Sequence, residues 1–433
     1  MLSLIPSALR GQTVAGMWQG TERAGPQPLR IKLEIVRSAN GRLAATLWSL
    51  DETGFDFSYP ADTVLLSGST LIVALTPYQV RYVGTVHGAG SINGTWTEQG
   101  KAQPLDLVRA TAKTEWLDQS PHRERMVSVE ATVKLETLDW GGSGPAVVLL
   151  AGAGNTAHVF DDFAPKLTAR YHVYGITRRG FGRSSAPISG YLADSLGDDV
   201  LAVIDSLAIQ RPVLIGHSIA GQELSSIGSR HPERVAGLVY LDAGYQYAFY
   251  DSTQLLPRLS MHDVQHRLEQ LLSPPFGVSA KARQEMIAEL LDEGLPLLER
   301  DLRSWKQELA ARPNQTDAMA PVATPTTTPG DPMIPVRQRL EAGAQKYTSI
   351  RAPVLAIFAA PHEAPATLRD SAARARFDSS ELARLLPQIR AFERGVPSAR
   401  MVTLPHANHY VFRSNEADVL REIRAFIDGL RTR

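Results

Sequence analysis

The sequence predicts an α/β protein with a doubly wound, mostly parallel sheet and a helical cap, preceded by a small all-β barrel or sandwich. Three observations lead to this fold class. Short alternating strands fill residues 14–110, continuous apolar strands alternate with helices from residue 125, and a helix-rich segment at 244–348 interrupts that alternation. A chain of 433 residues also exceeds what one hydrophobic core usually serves, so more than one domain is expected.

Residues 14–110 are predicted to form the all-β domain. Leu29–Ile35 alternates apolar and charged side chains, which is typical of a half-buried strand, and Asn40-Gly41 supplies a tight hairpin turn. Gly16-Met17-Trp18 resembles the G-x-W motif of lipocalin-type barrels, which implies a lipocalin-like β domain. We interpret Trp18 and Trp96 as residues that close its core. Two roles stay open: the domain binds a partner, or it shapes the entrance to a site in the second domain.

The ends and the overall charge limit the remaining possibilities. Residues 1–13 are predicted to be a tail and residues 111–124 a polar linker. The tail resembles the end of a signal peptide without a basic region, so exported or periplasmic and cytoplasmic locations both stay open. Lys+Arg and Asp+Glu each number 45, which does not favour a nucleic-acid partner. No apolar run approaches the roughly 20 residues of a membrane span, and the absence of cysteine excludes disulfides.

The second domain is predicted to occupy residues 125–433, with residues 244–348 inserted as the cap. Leu196–Leu207 and Glu416–Leu430 are among the helices predicted between its strands. The predicted buried strands are Ala146–Leu150, His172–Ile176, Val213–Ile215, Val235–Leu241, Val354–Phe358 and Arg400–Leu404.

The strongest chemical signal follows the strand Val213–Ile215. This strand runs into Gly216-His217-Ser218-Ile219-Ala220, and residues 222–229 can continue as a helix. In such a nucleophile elbow, a serine on a cramped strand-to-helix turn exposes its Oγ above the sheet, which requires small neighbours. Gly216 and Ala220 meet that requirement, so Ser218 is the predicted nucleophile.

Three further segments occur in the order of a known family. Leu149–Asn155 corresponds to an oxyanion loop after a strand, Arg178–Ser185 to an R-G-x-G-x-S loop, and Pro405–Tyr410 to the segment of a catalytic histidine. With the elbow, they make residues 125–433 resemble the α/β-hydrolase superfamily, in its serine esterase and lipase-like branch. The resemblance implies a serine hydrolase that needs no cofactor, and we find no sequence motif for a metal site.

The resemblance also implies roles for individual residues. His409 is the predicted base, and the main-chain N–H groups of Ala153 and Ile219 are the predicted oxyanion donors. Two residues can supply the acid, because Glu363 follows one predicted strand and Asp242 follows another. We favour Glu363 and keep Asp242 as the alternative.

The expected reaction is hydrolysis of a small carboxylic ester through an acyl-enzyme. Tyr245, Tyr250 and His158 are the candidates for substrate binding. An amidase, a lactonase or a C–C bond hydrolase could use the same three residues. A non-catalytic binding protein on the same fold is the alternative from another class.

Overall fold

The structure is a computed structural model that describes residues 14–430, except residues 24–27, 39, 54–57, 99, 118–119, 252, 254–256, 273–278, 312–332 and 366–367. The predicted tail and the Pro-rich segment 321–330 therefore lie outside the described residues. The described chain separates into two compact units, one ending before residue 118 and the other beginning at Ser120. Among these residues, no helix combines the length and the apolarity that crossing a membrane requires.

The first unit is all-β and antiparallel, as predicted. In the described part of the chain, its sheet has the order β4-β3-β2-β1-β9-β8-β7-β6-β5, so most neighbours in sequence pair directly. A short helix, α1 (Leu50–Thr53), follows the third strand. The strands are β1 Gly16–Glu22, β2 Leu29–Arg37, β3 Leu43–Ser49, β4 Tyr59–Pro60, β5 Thr63–Ser67, β6 Thr70–Leu75, β7 Val80–His87, β8 Ser91–Glu98 and β9 Lys101–Arg109.

The segment between β4 and β5 connects the two edges of this sheet. The Ala61 N–H donates to the Ala45 carbonyl in β3 at 2.9 Å, and the Asp62 N–H donates to the Ala74 carbonyl in β6 at 3.1 Å. Trp18 is fully buried in the interior, and its Nε1 donates to the Val14 carbonyl at 2.8 Å. A cavity among the core side chains measures only about 10 Å³, so this described interior is filled by side chains.

The second unit contains a mixed sheet of the order β10-β11-β13-β12-β14-β15-β16-β17. Its first two strands pair antiparallel with their neighbours, and the strands from β13 to β17 are parallel. The predicted strands were placed correctly, within a few residues at their ends. The strands are β10 Arg123–Ser128, β11 Lys134–Gly141, β12 Ala146–Leu150, β13 His172–Ile176, β14 Val213–His217, β15 Gly237–Leu241, β16 Val354–Ala359 and β17 Ala399–Leu404.

Helices cover both faces of this sheet. Along β12, Val148 and Leu150 pack into the core under α2, α3 and α8, whereas Val147 and Leu149 pack into the core under α10. This alternation explains why the strand reads as a continuous apolar run. The helices of this unit are α2 Ala193–Ser206, α3 Gly221–Arg230, α4 Pro257–Leu272, α5 Ala280–Glu289, α6 Leu295–Ala311, α7 Met333–Ala342, α8 Ser371–Gly395, α9 Val411–Ser414 and α10 Glu416–Leu430.

The chain between β15 and β16 holds the helices α4 to α7. A single π-helical turn, Leu290–Gly294, joins α5 to α6. Ser260 on α4 donates to Asp301 on α6 at 2.7 Å, and both side chains are fully buried. This hydrogen bond ties the first helix of the insertion to the third.

Candidate active site

The carboxyl ends of the parallel strands bring the singled-out polar residues to one edge of the sheet. Residues 151–155 follow β12, Ser218 follows β14, Asp242 follows β15, His362 follows β16 and His409 follows β17. In an open α/β sheet, the loops at this edge form the usual ligand-binding crevice. The fold therefore places segments that lie almost 260 residues apart in sequence beside one another.

Ser218 stands on a strained turn between β14 and α3. Its φ angle is +54°, in the left-handed region that a residue with a side chain rarely occupies. Small neighbours make the turn possible, because a Cβ on Gly216 would lie 2.9 Å from Leu224 Cδ1. A Cβ on Gly221 would lie only 2.1 Å from the Ala243 carbonyl oxygen. The glycine after Ala220 is therefore needed for the close approach of α3 to the end of β15.

A line of hydrogen bonds connects Ser218 to a buried carboxylate. His409 Nε2 lies 2.9 Å from Ser218 Oγ, and His409 Nδ1 lies 2.6 Å from Asp242 Oδ2. Asp242 is fully buried. If Nδ1 donates to the carboxylate, Nε2 is left as an acceptor for the serine hydroxyl proton. This is the tautomer that a general base needs.

The Asp242 carboxylate accepts from four donors. Its Oδ2 faces His409 and also His362, whose Nε2 is 2.8 Å away. Its Oδ1 accepts from the Ala359 N–H at 2.9 Å and from the Tyr245 hydroxyl. Burial alone would raise the pKa of Asp242, but the hydrogen bonds from His362 and His409 outweigh it and hold this pKa well below its usual range. The carboxylate is thus kept ionised although it is buried.

His362 continues the line of hydrogen bonds away from Ser218. Its Nδ1 lies 2.6 Å from Glu381 Oε2, and Arg384 donates to the other oxygen of Glu381 at 2.9 Å. Because both ring nitrogens of His362 face carboxylate oxygens, both contacts are hydrogen bonds only in the imidazolium form. Burial lowers the pKa of His362, but the hydrogen bonds to Asp242 and Glu381 outweigh burial and raise it above its usual value.

His217 packs against the ring of His409. Its Nε2 lies 3.1 Å from the His409 carbonyl oxygen, and the two ring centroids are 4.7 Å apart. Burial, followed by repulsion from His409, lowers the pKa of His217 well below its usual value. His217 is therefore neutral, and its N–H holds the backbone of the segment that carries His409.

A buried arginine fixes the loop that follows β12. Arg178 donates to the Ala151 carbonyl at 2.9 Å and to the Gly152 carbonyl at 3.4 Å. The same guanidinium forms a buried ion pair with Glu223 on α3. Ala153 follows directly, and among the described residues its main-chain N–H has no acceptor. Ile219 lies in the first turn after Ser218, where N–H groups have no partner within a helix.

The structure does not bring Glu363 to His409. Residues 361–363 run beside residues 404–407, with the Glu363 N–H bonded to the Ala407 carbonyl at 2.9 Å. Side chains alternate along such an extended segment, so His362 faces Asp242 and Glu363 faces solvent. The geometry therefore disagrees with the preference for Glu363 and agrees with the alternative, Asp242.

The three predicted substrate-binding residues have other partners. Tyr245 donates to Asp242, and His158 Nδ1 lies 2.9 Å from Asp161 Oδ2. Tyr250 is buried against Leu259 in the inserted segment. The half-buried Tyr247 interacts with the Ser218 side chain. The role of these three residues in substrate binding stays a prediction.

Sequence reasoning missed four residues near this site: His362, Glu381, Arg178 and Glu223. His362 adjoins Glu363 and carried a usable signal, because a histidine directly after a buried strand lies at the same edge as the elbow. Arg178 lay in a segment that had been singled out without a role. Glu223 and Glu381 stand on helices, where a carboxylate is ordinarily a solvated side chain, so their contacts had no sequence signal.

Two groups of described residues could hold a metal ion. One consists of Asp242, His362 and His409, whose ring nitrogens and carboxylate already bond to one another. The other consists of His122, Glu124 and His158. Both combine imidazole nitrogen with carboxylate oxygen, a donor set that suits divalent transition metals.

A family model described as the alpha/beta hydrolase family matches residues 147–422. The chain belongs to the alpha/beta hydrolase family. This confirms the resemblance inferred from the elbow and its three companion segments, and it agrees with the sheet order and the two helical layers described above.

Curated relatives match only part of their own length. The 2-(acetamidomethylene)succinate hydrolase of Mesorhizobium japonicum is 30% identical over 101 residues, which cover 23% of this chain and 36% of that protein. A fluoroacetate dehalogenase of Burkholderia sp is 31% identical over 116 residues, 26% of this chain and 38% of that protein. The crystal structure of E-2-(acetamidomethylene)succinate hydrolase covers 71% of this chain and 99% of its own, with 20% identity and a TM-score of 0.41.

Proposed function

We propose that this hydrolase cleaves carboxylic esters through an acyl-enzyme on Ser218. The observation that supports the proposal is the continuous line from Ser218 Oγ through His409 to the buried Asp242, at 2.9 and 2.6 Å. The nucleophile position holds serine rather than aspartate, which favours acyl transfer over attack at a saturated carbon. Asp242, rather than Glu363, takes the role of the acid.

The first half-reaction transfers the acyl group to the enzyme. Ser218 Oγ attacks the ester carbonyl carbon while His409 Nε2 takes the hydroxyl proton. The negative charge moves to the carbonyl oxygen, which the main-chain N–H groups of Ile219 and Ala153 stabilise. Asp242 stabilises the resulting imidazolium. The bond to the alcohol oxygen then breaks, and His409 returns the proton to the leaving alcohol.

The second half-reaction regenerates the serine. His409 removes a proton from water, and the resulting oxygen nucleophile attacks the acyl carbon. The bond to Ser218 Oγ breaks, the proton returns to Oγ, and a carboxylic acid leaves. The same residues could act on an amide, a lactone or a C–C bond. An ester is the proposed class because an alcohol leaves with less help from a proton than an amine or a carbanion does.

Ester turnover and covalent labelling test this proposal. The wild-type protein is expected to release nitrophenol from 4-nitrophenyl acetate and to react with a fluorophosphonate at one residue, Ser218. Ser218→Ala should abolish both, whereas Ser229→Ala, a serine on the following helix, should retain both. Labelling that persists in Ser218→Ala would contradict the proposal. So would wild-type protein that reacts with the fluorophosphonate but hydrolyses no ester in a panel of esters.

A further inference from the structure

A second group of buried histidines and carboxylates lies in the hydrolase unit, outside the residues used above. We propose that His122, His158 and Glu124 form a binding site for a divalent transition-metal ion, with Zn²⁺ as its principal ligand. We call this group the His122–His158 site. The side chains of His122 and His158 are only 5% and 1% exposed, so this is not a surface cluster of acids.

The Asp161 carboxylate lies beside both histidines. Asp161 Oδ1 lies 3.0 Å from His122 Nδ1, and Asp161 Oδ2 lies 2.9 Å from His158 Nδ1. Because His158 Nδ1 is hydrogen-bonded to this carboxylate, it carries the ring proton there, and His158 Nε2 is left as the metal-binding nitrogen. A carboxylate behind a histidine ligand is the arrangement that fixes tautomer and ring direction in metal sites.

Each Nε2 atom has a carboxylate oxygen nearby, and the oxygen beside His158 is too far away for a hydrogen bond. Glu124 Oε1 lies 3.9 Å from His122 Nε2, and Glu136 Oε1 lies 3.9 Å from His158 Nε2. Among the described residues, the buried His158 Nε2 has no hydrogen-bond partner. A buried polar atom left in this state is costly, and an ion placed between these atoms would remove that cost.

The distances allow a mononuclear site after small side-chain movements. The three donor atoms of His122, Glu124 and His158 lie within 4.8 Å of one another. Ligand atoms around a tetrahedral zinc ion are about 3.3 Å apart. Glu124 is the member that can move, because its side chain is 26% exposed. Its other oxygen is paired with Arg183, whose side chain is itself exposed. Glu136 is 2% exposed and held by Thr177 Oγ1 at 2.6 Å, so it is fixed beside His158.

The charge of the surroundings also favours a cation. Burial lowers the pKa of His158, but the hydrogen bond to Asp161 and the proximity of Glu136 outweigh it and raise this pKa to about 10. Two imidazoles and a carboxylate favour Zn²⁺ or Co²⁺ over Ca²⁺ and Mg²⁺, which prefer all-oxygen ligands.

The experiment uses the full chain, stripped with a chelator and then dialysed against Zn²⁺ at pH 7.5. Wild type should retain one zinc ion per chain, whereas His122→Gln and His158→Gln should each lose at least tenfold in affinity. Ca²⁺ and Mg²⁺ should not compete. Co²⁺ should give a visible absorption band that both variants lack. Two histidines serve as controls and should retain zinc: His231→Gln on the surface and His362→Gln in the other histidine–carboxylate group.

Each outcome decides for or against the site. The inference would be overturned if wild type bound no zinc, or if His122→Gln and His158→Gln both bound zinc as tightly as wild type. Loss of zinc in His362→Gln alone would also overturn it. If His158→Gln does not fold, His122→Gln and Glu124→Gln decide, because their side chains are nearer the surface. Since the inference does not depend on ester hydrolysis, zinc binding by Ser218→Ala should equal that of wild type.

Discussion

One oxygen of the Asp242 carboxylate is shared by two histidines. Oδ2 lies 2.6 Å from His409 Nδ1 and 2.8 Å from His362 Nε2. The rings of the two histidines are 5.9 Å apart. His362 directly faces three titratable groups, Asp242, Glu381 and His409. Arg384 contacts Glu381, and Tyr245 contacts Asp242.

This arrangement predicts a pH effect in His362→Gln. Burial lowers the pKa of His362, but the hydrogen bonds to Asp242 and Glu381 outweigh burial and favour the positively charged ring, and that charge disfavours a second positive charge on His409. Removing the charge should move the acidic limb of the kcat/KM profile to higher pH by about 1 unit. Initial rates between pH 5 and 9 measure the shift.

Glutamine keeps one N–H for Asp242, so lost geometry alone should lower the rate without moving the limb. Glu381→Gln should move the limb in the same direction by a smaller amount, because it weakens the charged form of His362. An unchanged limb in both variants would show that His362 only packs against Asp242.

Among the secondary-structure elements, the turn from β14 into α3 depends on close packing at Gly221. Gly221→Ala would place a Cβ 2.1 Å from the Ala243 carbonyl oxygen, and this backbone contact cannot be relieved by a rotamer change. We expect the free energy of unfolding to fall by about 3 kcal/mol. Gly429→Ala in α10 is the control, since a Cβ there meets nothing within 4 Å. Its effect should be within about 1 kcal/mol, towards higher stability. Equal melting temperatures of the two variants would contradict the packing argument.

The position of the loop after β12 depends on Arg178. Arg178 serves Glu223 and the carbonyls of Ala151 and Gly152 from one planar guanidinium. Lysine keeps the charge but cannot make these contacts together. In Arg178→Lys, the loop should lose its position, and kcat should fall roughly tenfold to a hundredfold with a small change in KM.

Arg183→Lys is the matched control for that variant, because Arg183 lies in the same loop but is 46% exposed. It should leave kcat for 4-nitrophenyl acetate within about twofold of wild type, as expected of a surface ion pair. A similar fall in both variants would show that the whole segment, rather than Arg178, sets the rate.

The sequence pattern predicted elements well wherever burial dictates residue type. The apolar strands of the parallel sheet and the elbow at Ser218 have this property. The helix α8 was not predicted, because Leu385, Ile389, Ala391 and Phe392 are its only buried residues in the described chain. Asp370 caps its start by accepting from the Ala373 N–H at 2.7 Å. A mostly exposed helix lacks the apolar stripe on which such predictions depend.

The acid of the site could not be settled from the sequence for a similar reason. Asp242 and Glu363 both follow strands of the same sheet, and β15 and β16 are adjacent and parallel. Which carboxylate reaches His409 depends on the side-chain direction at the strand end. Asp242 turns inward with a φ angle of +47°, which no local pattern announces. The His122–His158 site had no sequence signal either, because its members come from separate segments.

At the scale of the whole molecule, each unit has its own hydrophobic core. The core of the β unit draws on residues 14–107, and the cores on the two faces of the hydrolase sheet draw on residues from Val127 onwards. Residues 120–433 expressed alone should therefore fold and hydrolyse 4-nitrophenyl acetate within about threefold of the full chain. Circular dichroism and initial rates check both expectations. An insoluble or inactive fragment would instead show that the β unit supports the hydrolase unit.

We propose that Ser218, His409 and Asp242 act as one catalytic unit, and a comparison of kcat/KM between two carboxylate variants tests this proposal. Asp242→Asn keeps the size of the side chain but removes the charge, so kcat/KM for 4-nitrophenyl acetate should fall about 10³- to 10⁴-fold. Glu363→Gln, at an exposed position on the next strand end, should stay within about twofold of wild type. A large loss in Glu363→Gln together with a small loss in Asp242→Asn would contradict the account.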